Sequence, residues 1–173
     1  SDGTVWTFGN NTYGQLGDGT NTYSNAPVQV IGPGGVGYFT DALAIASGQN
    51  YTIILKSDGT VWTFGYNVYG QLGDGTTTNR NTPVQVVGPG GVGYLTDVIA
   101  IAGGHWYTIV LKTDGTVWTF GYNGYGELGD GTNTDSNTPV QVVGPGGVGY
   151  LTDAVAIAGG HGHTVVLKTD GTV

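Results

Sequence analysis

The sequence predicts an all-β fold made of repeated short strands, and three observations lead to this expectation. Glycine and proline are abundant, with 35 and 6 residues among 173, as in turn-rich chains. Aromatic residues make up 11% and charged residues only 9%, whereas disordered chains are rich in charge and poor in aromatics. A near-identical segment also recurs at a fixed spacing, which indicates a repeat architecture.

The repeat is visible in one string of eight letters. DGTVWTFG begins at Asp2, Asp58 and Asp114, and DGTV returns at Asp170. The chain therefore divides into three units of equal length, residues 2–57, 58–113 and 114–169. Units so similar must share one fold.

Two strands of each unit flank an Asp-Gly pair. Asp58-Gly59 separates YTIILK from TVWTFG, which predicts a hairpin closed by a two-residue type I′ turn. In TVWTFG, Val61 and Thr63 alternate with Trp62 and Phe64, the period of two that is typical of a strand. The repeated tryptophans are expected to pack between neighbouring sheets; they are Trp6, Trp62 and Trp118.

Two further strands complete the unit. One is PVQVV after residue 82, and the other is an alanine-rich run at residues 42–46, 98–102 and 154–158. No segment shows helical periodicity. Four short strands per unit, one of them built from small residues, predict propeller blades in which the alanine-rich strand lies nearest the axis.

This strand order divides the chain unevenly. Complete blades are expected at residues 42–87 and 98–143, with half blades at 1–31 and 154–173. Three blade equivalents fall below the minimum of about four, so the ring must be completed by another chain or by a longer polypeptide. A chain without methionine is also expected to be processed or to be a piece of something longer.

The two half blades are complementary in sequence. We expect the last strand to pair with the first strand of another copy, head to tail, in a ring or a filament. The strands predicted to meet are Thr4, Val5, Trp6, Thr7 and Phe8 on one side and His163, Thr164, Val165, Val166 and Leu167 on the other.

The segment from residue 55 to 76 resembles the repeat of the regulator of chromosome condensation family. The resemblance spans all three units and implies a propeller, typically seven-bladed, that serves as an interaction platform. Phe64 stands where the family usually has tryptophan, and Tyr51 and Tyr107 where it usually has histidine. The matching residues are Leu55, Asp58, Gly59, Val61, Trp62, Gly65, Asn67, Gly70, Gln71, Leu72 and Gly73.

Composition argues against several classes of partner. The net charge is −8, and three of the four cations repeat with the unit, which leaves Arg80 as the one individual cation. Because phosphate neutralisation dominates nucleic-acid affinity, DNA and RNA are poor candidates. No apolar run approaches the length of a membrane helix. Low charge, the absence of cysteine and abundant threonine, asparagine and glycine favour export to a cell surface or the medium.

No residue pattern points to catalysis, a cofactor or a metal. Ten of the 12 acids recur with the unit, which favours turn chemistry. Asp130, Asn133 and Asp135 lack the alternating carboxylates of a calcium loop. His161 and His163 lack a third repeated ligand, and we expect a structural histidine at 163 and surface histidines at 105 and 161.

The remaining functional class is binding of a ligand or a protein partner. The positions that differ between units indicate the candidate surface. The variable loops are residues 20–26, 76–82 and 132–138, together with three short loops expected to lie on one face. Aromatic side chains there could stack on a sugar or anchor a protein. The candidate residues are Gln49, Asn50, Tyr51, His105, Trp106, Tyr107, His161, His163, Tyr66 and Tyr122.

The sequence thus predicts a non-catalytic assembly or protein-interaction element that needs no cofactor. The rival interpretation is a ligand-binding propeller, either lectin-like or a proteinaceous enzyme inhibitor. Substituting Trp106 and Tyr107 would separate the two.

The acidic composition yields a first prediction. We expect no specific binding to DNA or RNA, because one individual cation cannot neutralise a row of phosphates. Electrophoretic mobility shift with a random duplex at physiological salt measures this. Submicromolar, salt-sensitive binding would contradict it.

Overall fold

The computed structural model describes residues 2–173, which form twelve β-strands and three short 3-10 turns. The turns fall in the inserted segment of each unit, at Pro33–Gly35, Pro89–Gly91 and Pro145–Gly147. Among these residues no helix has the length and apolar character needed to cross a membrane. The strands are β1 (Trp6–Gly9), β2 (Ser24–Gln29), β3 (Ala42–Gly48), β4 (Tyr51–Lys56), β5 (Val61–Gly65), β6 (Arg80–Gln85), β7 (Val98–Gly103), β8 (Tyr107–Lys112), β9 (Val117–Gly121), β10 (Ser136–Gln141), β11 (Ala154–Gly159) and β12 (Thr164–Lys168).

The strands form four antiparallel sheets whose order follows the sequence. β3 to β6 make one four-stranded sheet, and β7 to β10 make another. β1 pairs with β2, and β11 pairs with β12. The register repeats between the large sheets, since Ile53 faces Thr63 in one and Ile109 faces Thr119 in the other. The predicted all-β class with four-stranded antiparallel sheets is confirmed.

The hairpin between β4 and β5 differs from the predicted type I′ turn. Gly59 donates its N–H to the carbonyl of Lys56 at 3.0 Å, and Lys56 donates to the carbonyl of Thr60 at 2.9 Å. Gly59 has a φ of +78°, whereas Asp58 lies outside the left-handed region. This is a type I turn followed by a left-handed glycine. The Asp58 carboxylate accepts from the Thr60 N–H and hydroxyl, which favours this geometry.

The loop between β5 and β6 is organised by the buried side chain of Asn67. Its Nδ2 donates to Asp74 Oδ1 at 3.1 Å and to the carbonyls of Thr76 and Thr78 at 3.2 and 3.1 Å. Its Oδ1 accepts the N–H of Leu72 at 2.9 Å. One amide therefore satisfies both sides of the loop. The same network recurs around Asn11 and Asn123.

Neighbouring sheets pack through their apolar faces. Ile53 and Val61 of the first large sheet share one buried cluster with Val110 and Phe120 of the second. A second cluster joins the second large sheet to the β11–β12 hairpin. A third joins the first large sheet to Val5, just before β1, and Val30, just after β2. The four sheets thus form one continuous stack.

The inner strands approach one another closely, which accounts for their small residues. A β-carbon on Gly103 would lie 2.4 Å from the carbonyl oxygen of Ser47. A β-carbon on Gly159 would lie 2.5 Å from the carbonyl oxygen of Gly103. Since real contacts are never so short, only glycine fits at these crossings.

The tryptophans at the repeated position do not share one environment. Trp62 and Trp118 are half-buried and pack against the clusters between sheets, as expected. Trp6 is exposed, and the expectation that it packs between sheets is wrong for this unit. Among the described residues β1 pairs with β2 alone, so nothing covers its other edge.

The buried asparagine yields a stability prediction. Asn67→Ala removes the side chain that satisfies Leu72 N–H and the two threonine carbonyls, so the free energy of unfolding should fall by about 2–4 kcal/mol. Urea denaturation followed by tryptophan fluorescence measures this. The matched control is Asn133→Ala, because Asn133 is exposed and bonds only the Gly124 carbonyl. Equal losses for both variants would contradict the role of Asn67.

Candidate interaction surface

The strand directions place all the variable loops at one end of the sheets, which we call the loop face. It carries the β3–β4, β7–β8 and β11–β12 turns and the loops that follow β1, β5 and β9. The opposite end carries the Asp-Gly hairpins and the lysines that end β4, β8 and β12. Side chains from successive units meet on the loop face, since the His105 and His161 rings lie 4.0 Å apart.

Three predicted residues meet there, and three unpredicted tyrosines join them. Tyr66, Trp106 and Tyr122 were expected to be available for binding. Trp106 lies 5.7 Å from Tyr122 and 5.0 Å from Tyr69, measured between ring centroids. The rings form a continuous row across the units, which we call the aromatic belt. Its members are Tyr13, Tyr66, Tyr69, Trp106, Tyr122 and Tyr125.

Sequence reasoning missed Tyr13, Tyr69 and Tyr125 because they repeat in every unit. Repetition favours a structural interpretation, and these tyrosines do occupy one structural position. Their rings nevertheless reach the surface, and Tyr125 is 79% exposed. The signal that could have found them is the tyrosine before each Gly-Gln-Leu-Gly or Gly-Glu-Leu-Gly segment, which is the fourth residue after the end of a strand.

Two predicted binding residues belong to the core instead. Tyr51 and Tyr107 are fully buried, and each donates its hydroxyl to a backbone carbonyl of the next unit. The acceptors are the carbonyls of Tyr107 and His163, respectively. Burial raises the pKa of Tyr51 beyond its ordinary range. The prediction that these two tyrosines contact a ligand is therefore wrong, because their rings fasten one blade to the next.

The remaining predicted residues divide by position. Gln49 and His105 are hydrogen-bonded to each other across two units. Asn50 is held in the left-handed region, with a φ of +65°, and accepts from Gln15 at 3.2 Å. His161 lies on the loop face beside His105. His163 is exposed immediately before β12.

The His105 ring lies between Trp106 and His161. The pKa of His105 is lowered, first by removal from water and then by the neighbouring His161. A histidine with a lowered pKa stays neutral in the folded chain, so proton uptake favours the unfolded chain as the pH falls below about 6.5.

No metal centre emerges from this surface. Within residues 2–173 no three histidine, aspartate or glutamate side chains lie together in a way that could hold an ion. Asp130 accepts from Asn123 and Thr132, and Asp135 accepts the N–H of Asn123 at 2.8 Å. Asn133 donates to the Gly124 carbonyl at 3.2 Å. These groups bond within the loop.

Three segments of the chain match the model of the regulator of chromosome condensation (RCC1) repeat: residues 2–55, 58–111 and 114–167. Together they span nearly the whole chain. The chain belongs to the RCC1 repeat family. The resemblance found in the sequence motifs is confirmed, and a second RCC1 repeat model matches residues 43–71 and 98–127.

Similarity to individual RCC1-repeat proteins extends over most of the chain. It is 34% identical over 138 residues to the E3 ubiquitin-protein ligase HERC2 of Homo sapiens, covering 80% of this chain and 3% of that protein. It is 32% identical over 141 residues to the ultraviolet-B receptor UVR8 of Arabidopsis thaliana, covering 82% and 30%. It is 34% identical over 130 residues to the RCC2 homolog of Danio rerio, covering 75% and 24%. The chain thus spans less than a third of each relative.

Two solved structures share the fold. Human WBSCR16 superposes with a TM-score of 0.79 at 25% identity, covering 98% of this chain and 41% of that chain. Yeast RCC1 (Prp20), crystallised with Kap60, gives a TM-score of 0.74 at 21% identity, covering 98% and 38%. The RCC1-type propeller architecture predicted from the sequence is confirmed.

The expectation that the chain is exported to a cell surface or the medium is wrong. HERC2, UVR8, the RCC2 homolog and yeast RCC1 are nuclear or cytosolic proteins. The composition misled because its low charge and many threonines, asparagines and glycines serve the turns of the repeat. Asn67 and Thr76, for example, hold the β5–β6 loop.

The histidine pair yields a prediction for titration. His161→Gln places at residue 161 the glutamine that the first unit has at residue 49, and it removes one of the two causes that lower the pKa of His105. That pKa should rise toward about 6.5, measured by NMR titration of the imidazole carbon-bound protons. An unchanged or lower pKa in the variant would contradict the coupling of the two rings.

Proposed function

We propose that this chain is a non-catalytic section of an RCC1-type propeller that acts as a protein-interaction scaffold, and that its copies associate head to tail. The scaffold role is supported by the RCC1-repeat relatives, of which yeast RCC1 was crystallised in complex with Kap60. A non-catalytic role is supported by the loop-face acids, which bond to their own loops. The self-association is supported by an internal comparison within the chain.

The main support for self-association is that one six-residue sequence is buried at two places in the chain and exposed at a third. The six residues TVWTFG occur at 4–9, 60–65 and 116–121. Phe64 and Phe120 are 0% exposed, because each packs against the preceding blade, Phe64 with Val30 and Phe120 with Val86. Phe8 is 68% exposed in β1. Burying a phenylalanine side chain contributes about 2–3 kcal/mol, so β1 has much to gain from a partner strand.

The unpaired edge at β12 also exposes apolar side chains that are buried in the other units. Val165 and Leu167 of β12 are partly exposed, whereas Ile53, Leu55, Ile109 and Leu111 at the equivalent positions are buried. Among the described residues β12 pairs only with β11. Exposed strand edges of this kind recruit strands from other chains.

The internal copies also supply the register. In β4–β5, Thr52 faces Phe64 and Leu55 faces Val61. Shifting both strands by the repeat gives the pairing that we propose between β12 of one copy and β1 of the next. The expected pairs are His163 with Gly9, Thr164 with Phe8, Val165 with Thr7, Val166 with Trp6 and Leu167 with Val5.

Two cavities beside β1 support the same arrangement. One of about 310 Å³ is lined by Phe8, Gln15 and Ser47, and one of about 260 Å³ is lined by Trp6 and Ile45. Both lie between β1 and β3, where the inner two strands of a blade would stand. β11 and β12 of a second copy would fill them. In a longer polypeptide, the adjacent units would fill the same edges in the same register.

A ligand-binding role for the loop face is the second candidate function. The aromatic belt favours it, because its rings lie in contact across three units and remain partly exposed. Contiguous aromatic surfaces on a protein mark sites of interaction.

Self-association yields a prediction for the 173-residue polypeptide. Phe8→Glu should weaken it by about 100-fold or more, because the composite blade would lose a buried ring and gain a buried, unpaired charge. Sedimentation equilibrium measures this, with the unaltered chain running well above 17.7 kDa.

The matched control is Tyr23→Glu. Tyr23 is 75% exposed, and its counterparts Asn79 and Asp135 stay exposed in units that do have neighbours. This variant should associate like the unaltered chain. A folded monomer of 17.7 kDa for the unaltered chain, or equal weakening in both variants, would refute head-to-tail pairing.

A further inference from the structure

A groove on the loop face separates the second unit from the third. Its volume is about 310 Å³, and it is lined by Val68, Tyr69, Thr77, Asp135, Ser136 and Asn137. Tyr69 belongs to the aromatic belt, with its ring 5.0 Å from Trp106 and 5.1 Å from Tyr122. One wall of the groove is therefore an aromatic ring, and another carries a carboxylate.

The second unit shows what its own chain places at the corresponding position. Arg80 occupies the place of Ser136, and Asn79 occupies the place of Asp135. Arg80 donates from Nε to Asp74 Oδ2 at 2.8 Å, and its Nη2 lies 2.8 Å from the same oxygen. Nη2 also donates to Thr76 Oγ1 at 3.4 Å. The Asp-Gly-Thr loop of this repeat therefore accepts a guanidinium.

The third unit keeps this acceptor and lacks the guanidinium. Asp130 is oriented as Asp74 is, by Asn123 Nδ2 at 3.2 Å and Thr132 Oγ1 at 2.9 Å. Ser136 instead donates its hydroxyl to the Thr138 carbonyl at 2.6 Å. Asp135 adds a second carboxylate. The pair of changes turns a neutral Asp74–Arg80 couple into a site with two negative charges.

The chain supplies no other cation to this groove. Besides Arg80, its cations are Lys56, Lys112 and Lys168, which end β4, β8 and β12 at the opposite end of the sheets. Lys56 and Lys112 lie 3.7 and 3.9 Å from Asp41 and Asp97. An occupant of opposite charge must therefore come from outside these 173 residues.

The surroundings favour a guanidinium over an ammonium. Tyr122 in the aromatic belt has a raised pKa, caused first by removal from water and then by neighbouring groups that include the Glu127 and Asp135 carboxylates. A planar guanidinium stacks on an aromatic ring and bonds carboxylates with several N–H groups at once. Tyr69 and Asp135 line the groove, and Asp130 is the acceptor that corresponds to Asp74, which Arg80 reaches from the place held here by Ser136.

We propose that this groove binds an arginine side chain of a partner protein, with the guanidinium on Asp130 and Asp135 and its face toward Tyr69. The assignment rests on the interaction role proposed above and gives the chemistry of the partner. A partner segment with exposed arginines and few acids is the class that fits a chain of net charge −8.

The test compares N-acetyl-arginine amide with N-acetyl-citrulline amide, a neutral analogue of nearly the same shape, and with N-acetyl-lysine amide. Each is titrated into the ¹⁵N-labelled Phe8→Glu chain, so that self-association does not enter the result. The arginine compound should shift the amides of Tyr69, Asp135 and Ser136 at concentrations at least about fivefold lower than either other compound.

The matched variant copies the second unit. Asp135→Asn with Ser136→Arg reproduces Asn79 and Arg80, a combination that this fold already accommodates, and places the chain's own guanidinium on Asp130. It should weaken arginine binding at least about tenfold. Equal binding of citrulline or lysine, or unchanged binding in this variant, would overturn the proposal. The sedimentation result for head-to-tail pairing stands independently of either outcome.

Discussion

The contact on which the array depends joins the second strand of each blade to the loop of the preceding blade. Thr52, Thr108 and Thr164 each donate a hydroxyl to the carbonyl of residue 15, 71 or 127, at 2.9, 2.8 and 2.7 Å. Such bonds fix the loop of one unit against the next blade, and an unpaired buried carbonyl would cost about 1–3 kcal/mol. Each blade therefore depends on the adjacent blade for the hydrogen bonds that hold its loop, and this dependence repeats at every boundary between blades.

This dependence on the adjacent blade explains which features of the fold could be predicted from the sequence and which could not. The Asp-Gly pairs, the alternation in TVWTFG and the alanine-rich runs predicted the strands, because these features act locally or through the period. The turn type at Asp58 was missed because the Thr60 hydrogen bonds decide it. The roles of Tyr51 and Tyr107 were missed because their acceptors lie in the next blade, one full unit along the chain. Trp6 failed the expectation for the same reason, since its cover must come from beyond its own unit.

At some positions that differ between units, a stabilising hydrogen bond is absent and an aromatic side chain on the loop face stands in its place. Gln15 donates its amide to Asn10 and Asn50 at 3.2 Å. At the corresponding positions around Gln71 stand Tyr66 and Trp106, and Gln71 Nε2 has no hydrogen-bond partner among the described residues. An unsatisfied buried donor costs about 1–3 kcal/mol. The second unit thus carries an unsatisfied polar group beside its share of the aromatic belt, and such local violations are expected at functional sites.

The same neighbour constraint bears on the shape of an assembly. Three units make about three sevenths of the seven-bladed ring typical of the family, in keeping with the 41% of the WBSCR16 chain that this chain covers. Copies that associate head to tail as proposed would add blades in threes, so they would not complete seven. A six-bladed ring has a larger angle between neighbouring blades than a seven-bladed one, so the buried cluster that contains Val110 and Phe120 would have to repack. A head-to-tail contact that does not close continues as a filament. In the proposed assembly, the packing between blades, rather than the pairing of edge strands, would therefore determine whether copies form a ring or a filament.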